Sequence, residues 1–228
     1  MRAGGGAGRI GILGGTLDPI HLGHLGAAEA ARQALSLAQV VVMPSRVPPH
    51  RAHGPTASPF HRFAMAALAI RDREGFLVSD EELCAEGPSY TALTLERLGR
   101  RGLAPAQIFF ITGADAFAEI ETWYRYPAVL DLAQFVVVSR PGLSSRSIPD
   151  RLAGLGQRLR TPAEGPAPGG ETAVFLVDAP TPDVSSTEIR RRLRTGEPVT
   201  DLVPAPVEAH IRRHRLYLEA FPAGHLQR

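Results

Sequence analysis

The chain has 228 residues, 44% of them hydrophobic and 21% charged, with a formal charge of only +2. That is enough chain for one α/β domain burying about 70% of its unfolded surface, and too small a charge excess to argue by itself for a nucleic-acid partner. All 25 residues counted as lysine or arginine are arginine, and Cys84 is the single cysteine, so a P-loop, which needs a lysine on the phosphates, and an internal disulfide are both excluded.

No apolar run approaches the ~18 residues of a membrane span, and residues 1–8 lack the apolar core of a signal peptide. The expectation is a soluble, cytoplasmic protein. Residues 1–8 read as a flexible N-terminus, 9–220 as a single domain and 221–228 as a C-terminal tail.

The first predicted strand is the apolar run Ile10-Gly11-Ile12-Leu13. Gly14-Gly15-Thr16 then makes a tight turn, and Asp18-Pro19-Ile20-His21-Leu22-Gly23-His24 opens a helix with the stripe Leu22, Leu25, Ala28, Ala31 and Leu35. Backbone N–H groups of such a turn point outward, the first helical turn carries partial positive charge, and His21 and His24 at i, i+3 share one face. The junction is an anion site shaped for phosphates. A Gly-Gly turn alone is usually only a turn, and a lone helical histidine usually a surface or core residue; their joint arrival at a strand-to-helix junction favours the phosphate reading. Gly6, Gly8 and Gly11 also spell G-x-G-x-x-G, but they precede and begin the strand, whereas a dinucleotide fingerprint lies between strand and helix. A zinc site built from His21, His24 and Cys84 would lack a fourth ligand at a recognisable spacing.

Further strands are predicted at Val40-Val41-Val42-Met43, Phe76-Leu77-Val78, Ile108-Phe109-Phe110-Ile111, Phe135-Val136-Val137-Val138 and Val174-Phe175-Leu176-Val177. Helix signals fall between them. Ser58-Pro59 reads as an N-cap with proline in the first turn, residues 90–98 run apolar at helical spacing, Ser185-Ser186-Thr187-Glu188 reads as a capping box, and residues 207–218 as a terminal helix. Six strands apolar on both sides, alternating with helices, predict an α/β fold: an open, doubly wound, Rossmann-like parallel sheet with helices on both faces. The Pro/Gly-rich stretch 161–170 is read as a surface loop between the fifth and sixth strands. Arginines at 190–192, 194, 212, 213 and 215 read as solvated helix faces, since no stacking aromatics interleave them.

Ligands of open parallel sheets bind at the carboxyl ends of the strands. Those ends carry the Gly14 turn, Pro44-Ser45-Arg46-Val47-Pro48-Pro49-His50-Arg51, Thr112-Gly113-Ala114-Asp115, Ser139-Arg140-Pro141-Gly142 and the loop to Ser185-Ser186-Thr187-Glu188-Ile189-Arg190. Glycine turns, hydroxyls and arginines would converge on one edge.

These segments carry a resemblance. Residues 14–24 resemble the HxGH motif of the nucleotidyltransferase superfamily, and more specifically the GGTFDPxHxGH opening of the bacterial nicotinate mononucleotide adenylyltransferases, with Leu17 where that family shows Phe. The second-strand segment resembles its PxxxPPHK with Arg51 in place of Lys, which keeps the charge but replaces a point charge by a planar fork. Gly87-Pro88-Ser89-Tyr90-Thr91 resembles GPSYT, Gly113-Ala114-Asp115 the family's GAD, Trp123-Tyr124 its WY pair, and residues 184–190 its (I/V)SSTxIR.

The resemblance implies transfer of the adenylyl group of ATP to nicotinate mononucleotide, giving deamido-NAD and pyrophosphate in NAD biosynthesis. His21, His24 and Arg190 would be catalytic. Gly14, Gly15, Thr16, the two histidines, Arg51, Ser185, Ser186, Thr187 and Arg190 would bind ATP, each imidazole donating a hydrogen bond and stabilised as an imidazolium, with Arg46 a further cation for the pyrophosphate. Gly15, Thr16, His50, Ser89, Tyr90, Thr91, Gly113, Asp115, Trp123, Tyr124 and Arg140 would bind the mononucleotide. In that reading Asp115 accepts ribose hydroxyls, Trp123 covers the cationic pyridine ring, and the Thr91 and Tyr124 amides receive the carboxylate. Magnesium would arrive with ATP and need no dedicated protein site. Neither a nucleic acid nor a membrane is an expected partner; a homo-oligomer is compatible. Nicotinamide mononucleotide or phosphopantetheine as acceptor, a cytidylyltransferase sharing HxGH, and a noncatalytic nucleotide sensor are the alternative readings.

Overall fold

The computed structural model describes residues 8–49, 54–139, 153–165 and 170–218. The N-terminal segment 1–7 and the tail 221–228 therefore lie outside the described residues, as do His50, Arg51 and Arg140.

Continuous apolar runs become strands buried on both sides. β1 (Ile10–Gly15), β2 (Gln39–Pro44), β3 (Phe76–Val78), β4 (Ile108–Gly113), β5 (Gln134–Val138), β6 (Leu159–Arg160) and β7 (Val174–Val177) form one sheet in the order β3-β2-β1-β4-β5-β7-β6. Every pairing is parallel. The alternation hidden inside the runs sorts side chains to two cores: Val40, Val42, Phe109, Ile111, Val136 and Val138 face one, while Val41, Met43, Ile108, Phe110, Phe135 and Val137 face the other.

Helices cover both faces. The first core is closed by α1 (Leu22–Ala34), α2 (Pro59–Ile70), α5 (Ser186–Thr195) and α6 (Ala205–Arg213), and the second by α3 (Thr91–Arg100) and the one-turn α4 (Ala114–Phe117). Strand order reverses between β1 and β4, so the chain winds outward in both directions from that pair. Among the described residues no helix is long and apolar enough to cross a membrane.

Three expectations need correction. The sheet has seven strands, because Leu159 and Arg160 pair with Val174 and Phe175 at its edge; two residues, one of them charged, give no run to recognise. The stretch 161–170 accordingly follows this added strand, and Pro162–Glu164 forms a 3-10 turn in it. The terminal helix stops at Arg213, since Arg215 and Tyr217 adopt positive φ values of 52° and 65° that a right-handed helix cannot accommodate. At Ser185 only half a capping box forms: its hydroxyl accepts the Glu188 N–H at 3.2 Å, but the Glu188 carboxylate turns to Arg191 and Arg192, both at 2.8 Å.

The packing of α6 on α2 brings three histidines together. His61 Nδ1 lies 3.1 Å from His210 Nε2, and the His214 ring centroid is 4.9 Å from that of His61 and 4.4 Å from that of His210. Burial, reinforced by His214, His61 and Arg213, holds the His210 imidazole below its ordinary value of 6.5. The unfolded chain therefore takes up this proton before the folded one does as pH falls through 6.5. Stability contributed by neutral His210 is present above that value and lost below it. Thermal unfolding midpoints of the wild type should fall between pH 7.5 and 5.5, and His210→Gln should fall less; equal slopes in the two proteins would remove His210 as the cause.

Candidate active site

The reversal between β1 and β4 opens a cleft of about 360 Å³ at the carboxyl edge of the sheet. The cleft is lined by Gly14, Gly15, Thr16 and Ser45, by Pro48 and Pro49, and by Glu82, Ser89, Tyr90, Thr91, Phe110, Thr112, Ala116, Trp123 and Tyr124. Gly15 has φ +147°, a backbone conformation that favours glycine and lets the strand turn abruptly into the loop 16–20.

That loop delivers the two histidines in an unusual cap. His21 is the N-cap of α1; its N–H donates to His24 Nδ1 at 3.3 Å, and the His24 N–H donates to His21 Nδ1 at 3.3 Å. The rings stack with centroids 3.6 Å apart. Because both Nδ1 atoms accept, each ring carries its proton on Nε2. The cap thus uses Nδ1 of both rings and leaves Nε2 as the nitrogen of each that can donate to a ligand. Gly23 is the enabling residue between them: a Cβ there would lie 3.1 Å from His21 Nδ1 and 3.1 Å from the Pro182 carbonyl.

The loop is held from beneath by Asp18, which is wholly buried. Its carboxylate accepts the N–H groups of Thr56 at 2.7 Å and Ala57 at 3.1 Å and the Tyr217 hydroxyl at 2.8 Å. Burial and the adjacent Asp18 charge push the Tyr217 hydroxyl far above the ordinary tyrosine range, so it remains a donor. Arg62, also wholly buried, spans three carbonyls: Thr16 at 2.7 Å, Ala57 at 3.2 Å and Arg46 at 3.3 Å. One guanidinium thus fixes the glycine turn against the loop that follows β2.

α5 docks on the same loop. Ser186 donates to the Pro19 carbonyl at 3.0 Å, and Arg190 donates to the Asp18 carbonyl at 2.7 Å and to Thr187 Oγ1 at 3.2 Å. The segment 185–190 and the histidines, 160 and more residues apart in sequence, are therefore neighbours. They stand beside the cleft, outside its walls, joined to it through residues 14–19.

Part of the cleft wall is aromatic. Trp123 follows the 3-10 turn Ile120–Thr122 and packs edge-on against Phe110, centroids 6.1 Å apart at 87°, and against Phe135 at 6.4 Å. It is half core and half cleft wall, so the two roles weighed for a lone tryptophan coincide. Tyr90 stacks on Tyr124 at 4.5 Å, and Arg125 lies over the Tyr124 ring while pairing with Glu96. Tyr90 is the N-cap of α3 yet gives its first turn no side-chain hydrogen bond, leaving the helix's positive end facing the cleft at Thr91.

Some expected contacts are placed otherwise. Ser89 Oγ accepts the N–H groups of Arg46 at 2.9 Å and Val47 at 3.3 Å, which makes it a strut between the β2 loop and α3 as well as a lining residue. Arg46 donates to the Ala85 carbonyl at 3.0 Å. Gly113 caps α4 and Asp115 sits in its first turn, but the cleft wall there is made by Thr112 and Ala116 on either side.

Arg62, Tyr217 and Glu82 escaped the sequence reading. The Arg62 signal is an arginine on the apolar stripe of α2 with Met65, Ala66 and Ala69; for Tyr217 no local signal exists. Glu82 is buried on the cleft wall and accepts the Thr94 hydroxyl at 2.6 Å, and burial pushes its carboxyl above the usual range against the hydrogen bonds from Thr94 and Ser89.

A family model described as Cytidylyltransferase-like matches residues 12–192. A probable nicotinate-nucleotide adenylyltransferase of Desulfatibacillum aliphaticivorans is 38% identical over 220 residues, covering 92% of this chain and 100% of the relative. Another of that description from Roseiflexus sp. (strain RS-1) is 40% identical over 210 residues, covering 91% and 97%. Among solved structures, Plasmodium falciparum nicotinic acid mononucleotide adenylyltransferase complexed with NaAD superposes with a TM-score of 0.68 at 18% identity, over 92% of this chain and 97% of that one; at that identity the likeness speaks for the fold.

The buried frame can be probed without substrate. Tyr217→Phe removes one donor from a buried carboxylate and should cost about 1–3 kcal/mol in urea unfolding, and Arg62→Met, which strips up to three carbonyls of their donor, about 3 kcal/mol or more. An unchanged urea midpoint in Tyr217→Phe would show that this bond contributes nothing.

Proposed function

Since the chain belongs to the cytidylyltransferase-like family and aligns over nearly its whole length with probable nicotinate-nucleotide adenylyltransferases, we propose that it transfers the adenylyl group of ATP to nicotinate mononucleotide, releasing pyrophosphate and forming deamido-NAD. The observation that carries this reading is the reciprocal His21/His24 cap at a glycine turn, tied through the Asp18 carbonyl to Arg190.

The acceptor's 5′-phosphate is already anionic at neutral pH, so its attack on the α-phosphorus of ATP needs no protein base. Catalysis is then alignment and charge neutralisation. The Nε2–H groups of His21 and His24 donate to phosphate oxygens of ATP, and the positive ends of α1 and α5 add their partial charge. Ser185, Ser186 and Thr187 flank that second helix end, with Arg190 one turn on, oriented by its bonds to Asp18 and Thr187. Pyrophosphate leaves toward these cations. In this reading Arg51 binds ATP and His50 the mononucleotide.

The 360 Å³ cleft takes the mononucleotide. Trp123 covers the pyridine ring, whose cationic nitrogen is attracted to an indole face. The uncapped N-terminus of α3 at Thr91, with the Tyr124 amide, receives the nicotinate carboxylate, and donors there favour an acid over an amide. Asp115 serves the ribose, and Gly113 and Arg140 are further contacts to the mononucleotide in this reading. Magnesium enters with the triphosphate, since Mg²⁺ is suited to phosphate oxygens and water as its main ligands. Bound there, it would supply neutralisation of the phosphate charge.

Pyrophosphate release should be measured with ATP and magnesium, offering nicotinate mononucleotide, nicotinamide mononucleotide and phosphopantetheine in turn. Release with the nicotinate compound in clear preference is expected; ATP binding without release from any acceptor would favour a nucleotide sensor. His24→Ala should lower turnover by about 100-fold or more, the scale of losing one preorganised donor, and near-normal turnover would sink its assignment. Trp123→Ala should weaken mononucleotide binding and spare ATP binding, whereas equal loss of both in titrations would make the indole structural.

A further inference from the structure

Ser45 follows β2 directly, and its N–H donates to the Gly15 carbonyl at 2.9 Å. This bond carries the β1–β2 ladder one step beyond the Gly15–Pro44 pair. The residue therefore stands against the glycine turn, on the wall of the cleft. It is only 5% exposed, yet its Oγ has no hydrogen-bond partner. Among the described residues the other buried side-chain atoms in that condition are Arg97 Nε and Arg160 Nε, and neither arginine lines this cleft. The neighbouring polar groups are satisfied: Ser89 Oγ receives two amides, and Thr94 donates to Glu82. An unpaired hydroxyl in such company is a cost that folding does not require, because alanine would fill the same position without it.

We propose that Ser45 Oγ donates to the 5′-phosphate of the acceptor mononucleotide and completes its hydrogen bonding only when that phosphate arrives. The inference rests on the acceptor assignment made above and extends it to the atom that attacks. The aromatic residues Tyr90, Trp123 and Tyr124 provide for a ring, whereas Ser45 adjoins Gly14, Gly15 and Thr16, the part of the wall built for anions. A hydroxyl donating to a phosphate oxygen makes a short, charge-assisted bond, which fixes the direction in which the nucleophilic oxygen faces ATP.

The test pairs nicotinate mononucleotide with nicotinate riboside, the same molecule without its phosphate, in titrations of the wild type and Ser45→Ala. The variant should bind the mononucleotide about tenfold or more weakly, the scale of one hydrogen bond to a charged group, and bind the riboside as the wild type does. Its unfolding midpoint without ligand should be unchanged or raised, since the substitution deletes an unsatisfied group. Equal weakening for both ligands, or no weakening for either, would overturn the contact while leaving the wild-type reaction intact. A wild type that turns over no nicotinate mononucleotide would overturn the acceptor assignment and this contact together.

Discussion

The Asp18 carboxylate has been taken out of water, and a charge so placed survives only where the protein returns the hydrogen bonds that water gave it. Thr56, Ala57 and Tyr217 return them. Each donor comes from a different stretch than the loop it serves, so satisfying one side chain brings the segment before α2 and the turn after α6 against the glycine loop. Once the carboxylate is fixed, its own backbone carbonyl becomes a rigid acceptor for Arg190. The arginine's position is thus set by the same residue whose charge organises the loop, and the histidine cap begins three residues further on.

Around this anchor the carboxyl edge divides into two environments. On the cleft side, Phe110 and Trp123 continue the second core outward, and the stacked Tyr90 and Tyr124 also line the cleft. On the other side, α5 docks on the loop that leads into α1 through Ser186 on the Pro19 carbonyl and Arg190 on the Asp18 carbonyl. The loop 14–19 is shared by both. A nucleophile bound in the first environment and an electrophile in the second would meet across a few residues of rigid backbone, which suits a reaction driven by alignment.

Much of the architecture was legible because both-side burial writes continuous apolar runs, and the glycine turn with its paired histidines sits where a doubly wound sheet places ligands. A local signal also located Ser185 as a cap, and the family resemblance pointed to Trp123, which lines the cleft. What remained hidden depends on partners far away in sequence. Arg62 reads locally as an interruption of an apolar stripe, and only the three carbonyls beneath it explain its burial. Tyr217 sits in a stretch whose apolar spacing continues α6, while the actual chain turns by positive φ to aim its hydroxyl at Asp18. Glu188 obeyed a competing local rule: two arginines on its own helix outbid the N-cap amide for its carboxylate.

The bond between Tyr217 and Asp18 spans 199 positions, close to the full reach of the described chain. Closing so long a loop carries a large entropic cost that is met only after the intervening sheet has formed. During synthesis from the N-terminus, the glycine loop emerges well before Arg190, Leu202 and Tyr217, which brace it. A nascent chain with most strands already paired still lacks these braces. A first loop held by residues so much later in sequence cannot take up its final shape until they have been made and folded back onto it.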